Sequence, residues 1–173
     1  LEEMPASSRK YPYVGFEPER EAGKDILFVE GITKTLDGVK VLDNVSFIAN
    51  KGDKIALVGE NEAGQTALFK ILTGEMEPDA GSFKWGVSTS QSYFPQDNSA
   101  FFEGFDEDLI CWLRQYSEDT TETYLRGFLG RMLFSGDEVY KPAKVLSGGE
   151  KVRCMLSRMM MTHANVLLLD QPT

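Results

Sequence analysis

Apolar residues fall into two kinds of pattern along the chain, and they change places near residue 106. From Asp25 onward they come in short runs, I-L-F-V-E at 26–30 and V-K-V-L-D-N-V-S-F-I-A at 39–49. The Asp37-Gly38 pair between them is a tight-turn signal, so the two runs predict a β-hairpin. K-I-A-L-V at 54–58 predicts a further strand running into a glycine-containing loop, and S-F-K-W-G-V and Q-S-Y-F-P-Q predict two more. Thr66 to Thr73 has helical spacing and stops at Gly74, a natural helix end.

From Asp106 to about Phe134 the period is helical. Leu109, Trp112, Leu113 and Tyr116 form one stripe, and Leu125, Phe128, Leu129, Met132 and Leu133 a second. Such aromatic and methionine stripes predict core. Glu150 to Met161 is a further helix, and Val166 to Leu169 a buried strand. Residues 1–24 are polar and proline-punctuated and lack a period, as expected of a linker entering a domain. This order predicts an α/β domain over 25–173, with an antiparallel β portion and a helical insert at about 99–142.

Composition narrows the function. A chain of 173 residues is of single-domain length, with 42% hydrophobic and 26% charged residues. A net charge of -9 argues against a broad basic surface for nucleic acid. Cys111 and Cys154 lack metal-ligand spacing and read as free thiols of a reducing compartment. No apolar run approaches the ~20 residues that span a bilayer, so the expectation is a cytoplasmic chain without direct membrane insertion.

Chemistry concentrates toward the end. L-S-G-G-E-K-V-R at 146–153 is a Ser-Gly-Gly turn opening a helix, which leaves N–H groups free at the positive end of the helix dipole. L-L-L-D-Q-P-T at 167–173 is an apolar strand that sets Asp170 at its carboxyl edge, within reach of a metal-bound nucleotide. Upstream, Gly59-Glu60-Asn61-Glu62-Ala63-Gly64-Gln65-Thr66 follows a predicted strand and precedes a helix, the place of a phosphate loop. In order and spacing these segments resemble the Walker A, signature and Walker B motifs of the ATP-binding-cassette (ABC) ATPases, a P-loop NTPase fold.

The resemblance implies ATP and Mg²⁺ as ligands. Residues 59–67, with Ala67 following the loop, would bind nucleotide. Thr66, Gln96 of Y-F-P-Q-D and Asp170 would hold the metal. Leu146, Ser147, Gly148, Gly149 and Glu150 would form the signature, facing the γ-phosphate bound by an opposite cassette. Leu36, in T-K-T-L-D-G, falls where the family stacks an aromatic on adenine, and a leucine has no ring to stack. Gln65 replaces the family's lysine and brings no charge to the triphosphate. Glu62 stands where the family has glycine. Gln171 replaces the glutamate that activates water, and an amide cannot serve as general base. The chain should therefore bind ATP better than it hydrolyses it.

Glu150-Lys151 after the signature glycines, K-P-A-K-V at 141–145, L-G-R-M-L-F-S-G-D at 129–137 and S-S-R-K-Y-P-Y at 7–13 resemble the ABC-F branch. That branch consists of soluble proteins with two cassettes per chain that act on the ribosome. The resemblance implies a second cassette cut after Walker B, a partner cassette in the same full-length protein or a dimer, and the ribosome as a further partner. His163 precedes Walker B, so it is not the family's switch histidine and reads as an exposed helix-end residue. Two alternatives stay open: the ATPase subunit of an ABC membrane transporter, and a non-catalytic nucleotide-sensing module. An α/β core ending at Walker B would leave apolar surface uncovered.

Overall fold

A computed structural model describes residues 10–172. The chain divides into two compact units, a β-rich one comprising residues 18–96 and 164–172 and a helical one comprising residues 97–163 with the segment up to Glu17.

In the β-rich unit, strands β1 (Asp25–Leu36) and β2 (Val39–Asn50) form the expected antiparallel hairpin. Its two-residue turn places Asp37 at φ 49° and Gly38 at φ 79°, the left-handed pair that a type I′ turn requires. Strand β3 (Ala80–Trp85) adds to the other edge of β1, giving the order β2-β1-β3. Register shifts along β1 turn successive residues Ile26 and Leu27 both inward, where strict alternation would bury one of them. Helix α1 (Glu62–Leu72) lays Ala67, Leu68, Ile71 and Leu72 against this core. Those positions repeat at i, i+1, i+4 and i+5, which makes one face of the helix. Strands β4 (Gln91–Phe94) and β5 (Val166–Leu169) form a separate parallel pair, with Tyr93 beside Leu168 and Phe94 beside Leu169.

Two local expectations change. Lys54–Val58 forms no strand: Ile55 is 51% and Val58 92% exposed, and the segment makes no ladder among the described residues. An apolar run becomes a buried strand only when neighbours take its N–H and C=O groups. Between residues 54–57 and β5 lies instead an apolar cleft of about 770 Å³, walled by Leu57, Phe69, Trp85 and Leu168 among others. Helix α1 also starts four residues ahead of Thr66. Asn61, in extended conformation, caps it by accepting the Ala63 N–H at 2.9 Å, so the second half of the expected loop is already helix.

The helical unit contains α2 (Leu109–Arg114), α3 (Glu122–Arg131) and α4 (Gly148–Met161), joined by short 3₁₀ turns. Most of the predicted stripes is core: Leu109, Trp112, Leu113, Leu125, Leu129 and Met132 are buried, while Tyr116, Phe128 and Leu133 are half-buried. Trp112 stacks on Phe102 at 4.9 Å, meets Tyr116 edge-on at 5.1 Å and donates its indole N–H to the Phe101 carbonyl at 2.7 Å. Cys154 is buried and free, and burial pushes its thiol up to about 12, which makes it inert. Cys111 is also free, and burial raises it as well. His163 is exposed just past α4, its Nδ1 2.7 Å from the Glu17 carbonyl oxygen.

Candidate functional site

Within the β-rich unit, α1 and the ends of β4 and β5 bring four separated polar residues together. Asp170 follows β5 directly, and its N–H donates to the Phe94 carbonyl at 2.9 Å, extending the parallel ladder by one residue. The carboxylate is 1% exposed. Thr66, on the second turn of α1, donates its hydroxyl to Asp170 Oδ2 at 2.6 Å. The same hydroxyl lies 3.3 Å from Gln96 Oε1. Gln96, two residues past β4, donates its amide to Gln171 Oε1 at 3.1 Å and reaches Glu62 Oε2 at 3.5 Å. Gln171 takes a left-handed backbone, φ 51°, that a β-turn tolerates but a strand does not.

Burying a carboxylate is costly unless donors or a cation compensate it. Thr66 supplies one donor. A nearby group was not read from the sequence: the hydroxyl of Tyr93 is buried on β4, near enough for the Asp170 charge to act on it. Burial first, and then the Asp170 charge, push this phenol well above its ordinary value. A hydroxyl, an amide oxygen and a carboxylate converge here, and hard oxygen donors of this kind suit Mg²⁺. The donor set fits the metal expected at Thr66, Gln96 and Asp170.

The nucleotide loop is less organised. Gly59, Glu60, Asn61, Glu62 and Ala63 are exposed. Gln65 folds back toward Gly59, its Nε2 4.0 Å from where a Cβ on that glycine would stand. Gly64 has a packing role: a Cβ there would lie 2.4 Å from the Val41 carbonyl oxygen, so α1 approaches β2 this closely only through glycine. Ala67 is buried in the core, and Leu36 packs partly buried against the same cluster. The side chains of both therefore serve the core of this unit.

In the helical unit the signature segment forms a reciprocal cap. Ser147 accepts the Glu150 N–H at 3.4 Å, while Glu150 Oε2 accepts the Ser147 N–H at 2.7 Å. Lys141 completes it with an ion pair to Glu150 Oε1 at 3.3 Å. The backbone and side-chain bonds from Ser147 hold the Glu150 carboxyl below its usual range. Leu146 is buried beneath the turn, and Gly148 and Gly149 are exposed at its tip.

Known proteins resemble this chain over most of its length. The profile of the ABC transporter family matches residues 42–173. An uncharacterised ABC transporter ATP-binding protein of Bacillus subtilis (strain 168), YkpA, is 67% identical over 100% of this chain, which spans 32% of that relative. ATP-binding protein Uup of Caulobacter vibrioides is 32% identical over 88% of the chain, spanning 26% of its own length. The chain thus spans about a third or less of these curated relatives. Among solved structures, a nucleotide-free ATP-binding cassette from an ABC transporter superposes with a TM-score of 0.59. It is 22% identical, covering 86% of this chain and 70% of that one, and carries the fold alone. Among the described residues no helix is long and apolar enough to cross a membrane. With the profile matching most of its length and two relatives above 30% identity, the chain belongs to the ABC transporter family of ATP-binding proteins.

Proposed function

We propose that this chain is an ATP cassette of the ABC-F type that binds Mg²⁺-ATP better than it hydrolyses it. The observation that carries the reading is the polar cluster of Thr66, Gln96, Asp170 and Gln171, drawn from three separated segments onto one end of the parallel strand pair. Asp170, Thr66 and Gln96 would hold Mg²⁺, which when bound offsets charge on the β- and γ-phosphates. Exposed residues 59–62 would supply backbone N–H groups to the phosphates, and Gln65 a neutral hydrogen bond.

Gln171 accounts for the slow step. Its amide orients Gln96 through the 3.1 Å bond, but it has no basic site with which to take a proton from water. ATP binding would close the cassette against a second one, where Gly148 and Gly149 present free N–H groups at the start of α4. The closed population is then set by ATP, and slow hydrolysis prolongs it.

The Glu150-Lys151 pair and the proline-punctuated residues 1–24, as the end of an interdomain linker, support the ABC-F assignment and with it the ribosome as partner. Titration calorimetry with Mg²⁺-ATP tests the binding, and co-sedimentation with ribosomes in the presence of ATP tests the partner. Absence of binding would remove the reading. A second reading, the ATPase subunit of a membrane transporter, draws on the family's description. It predicts co-purification with a membrane protein and no ATP-dependent sedimentation with ribosomes.

A further inference from the structure

We infer that Glu62 is the positioning residue for the Gln96 amide, and this rests on the reading of Gln96 as a metal ligand. Gln96 Nε2 meets two acceptors, Gln171 Oε1 at 3.1 Å and Glu62 Oε2 at 3.5 Å. Its Oε1 lies 3.3 Å from the Thr66 hydroxyl. The two ends of a glutamine amide are nearly equal in size, so their partners decide which end points where. A ligand to Mg²⁺ must present the oxygen, because an N–H donor cannot hold a cation. Thr66 does not enforce that orientation, since its one proton goes to Asp170 at 2.6 Å.

Gln171 cannot enforce it either. Two facing amides are satisfied whichever of them donates, so a flip of both would keep one N–H···O bond while bringing the Gln96 nitrogen to Thr66. A carboxylate only accepts. Glu62, on the first turn of α1, therefore breaks the tie: its bond is made only with Nε2 toward it, and Oε1 is then the end left facing Thr66. The bond is long, and its weight comes from the carboxylate's charge more than from close contact. Glu62 and Gln171 both depart from the family's pattern, and the two departures meet at one nitrogen. A glutamate at 171 would itself be an acceptor-only group; in this chain Glu62 supplies one.

Glu62→Gln in the intact protein tests this, because Glu62 is exposed and the change keeps its length while making it an amide that donates as well as accepts. The readout is the Mg²⁺ midpoint of binding at fixed ATP, in the parent, in Glu62→Gln, and in each with Gln96→Ala added, which completes a double-mutant cycle. The expected result is a rise of about 10-fold in the midpoint, the low end for loss of a partner that orients a metal ligand. In the Gln96→Ala background, Glu62→Gln should shift the midpoint no further. An unchanged midpoint on Glu62→Gln alone would overturn the inference. So would an equal shift with and without Gln96, which would mark Glu62 as a charge that attracts Mg²⁺ without orienting the amide. Failure of the parent protein to bind Mg²⁺-ATP at all would instead overturn the cassette reading on which this one stands.

Discussion

Two apolar runs of similar length, Lys54–Val58 and Val166–Leu169, each deliver the chain to one side of the candidate site, and they end differently. Val166–Leu169 pairs in parallel with β4, and the ladder carries on through the Asp170 N–H. The loop it feeds is consequently fixed, with Asp170 buried and bonded. Lys54–Val58 has equal strand propensity but no ladder, and the loop it feeds, Gly59 to Ala63, is exposed. Pairing, more than apolar character, decides whether a strand presents its terminal residue in a defined place. The Asp170 side of the site is built by a strand, and the Gly59–Thr66 side by the cap and packing of α1.

The largest expected effect lies on the ordered side. Because Gln171 already sits against Gln96, Gln171→Glu places a carboxylate where an activating base is needed without moving the backbone. Single-turnover phosphate release should rise by about 10²–10⁴-fold. An unchanged rate would mean that the step is limited elsewhere, by the uncharged Gln65 or by closure.

On the α1 side, Gly64→Ala is the sharpest probe. Its Cβ would meet the Val41 carbonyl oxygen at 2.4 Å, and neither backbone can yield without separating α1 from β2. Overpacking of this kind costs about 1–3 kcal/mol, read as a fall in melting temperature, and Thr66 should shift with the helix. If Gly64→Ala melts like the parent while ATP binding falls, the glycine serves the phosphate and not the packing.

Gln65→Lys comes next. Hydrogen bonds to charged groups contribute about 1.5–3 kcal/mol against about 0.5–1.5 for neutral ones. ATP affinity should rise roughly tenfold by calorimetry, with melting of the nucleotide-free protein unchanged. A smaller effect is expected from Asn61→Ala, which removes the cap of α1 and should cost about 1 kcal/mol.

These substitutions also mark what was legible beforehand. The hairpin was readable because Asp37-Gly38 is a local turn signal between two alternating runs. Thr66, Gln96 and Asp170 were readable as a set through family spacing, and the structure brings Gln96 and Asp170 both within hydrogen-bonding distance of Thr66. The start of α1 was not, although Asn61 is a strong N-cap residue, because the glycines at 59 and 64 argued for loop. Lys54–Val58 could not be settled by pattern, since a strand's existence depends on partners that no local window contains.

The smallest effect concerns the signature turn, the helical unit's counterpart to the Asn61 cap. Glu150 is held below its ordinary value by its bonds to Ser147 and then by Lys141. A carboxylate with a lowered folded-state pKa contributes stability that is fully present above its unfolded value, near 4.5. That stability is lost as pH falls through the lower folded value. Amide exchange at Ser147, whose N–H donates to Glu150 Oε2, should therefore quicken, after correction for intrinsic rates, as pH drops below about 4.5. The Ala63 N–H, which donates to the neutral Asn61 side chain, should not follow it. Two helix starts that look alike would then separate by pH alone, because one cap is a carboxylate and the other an amide. If both amides quicken together, the change reflects general loosening of the chain and not the protonation of Glu150.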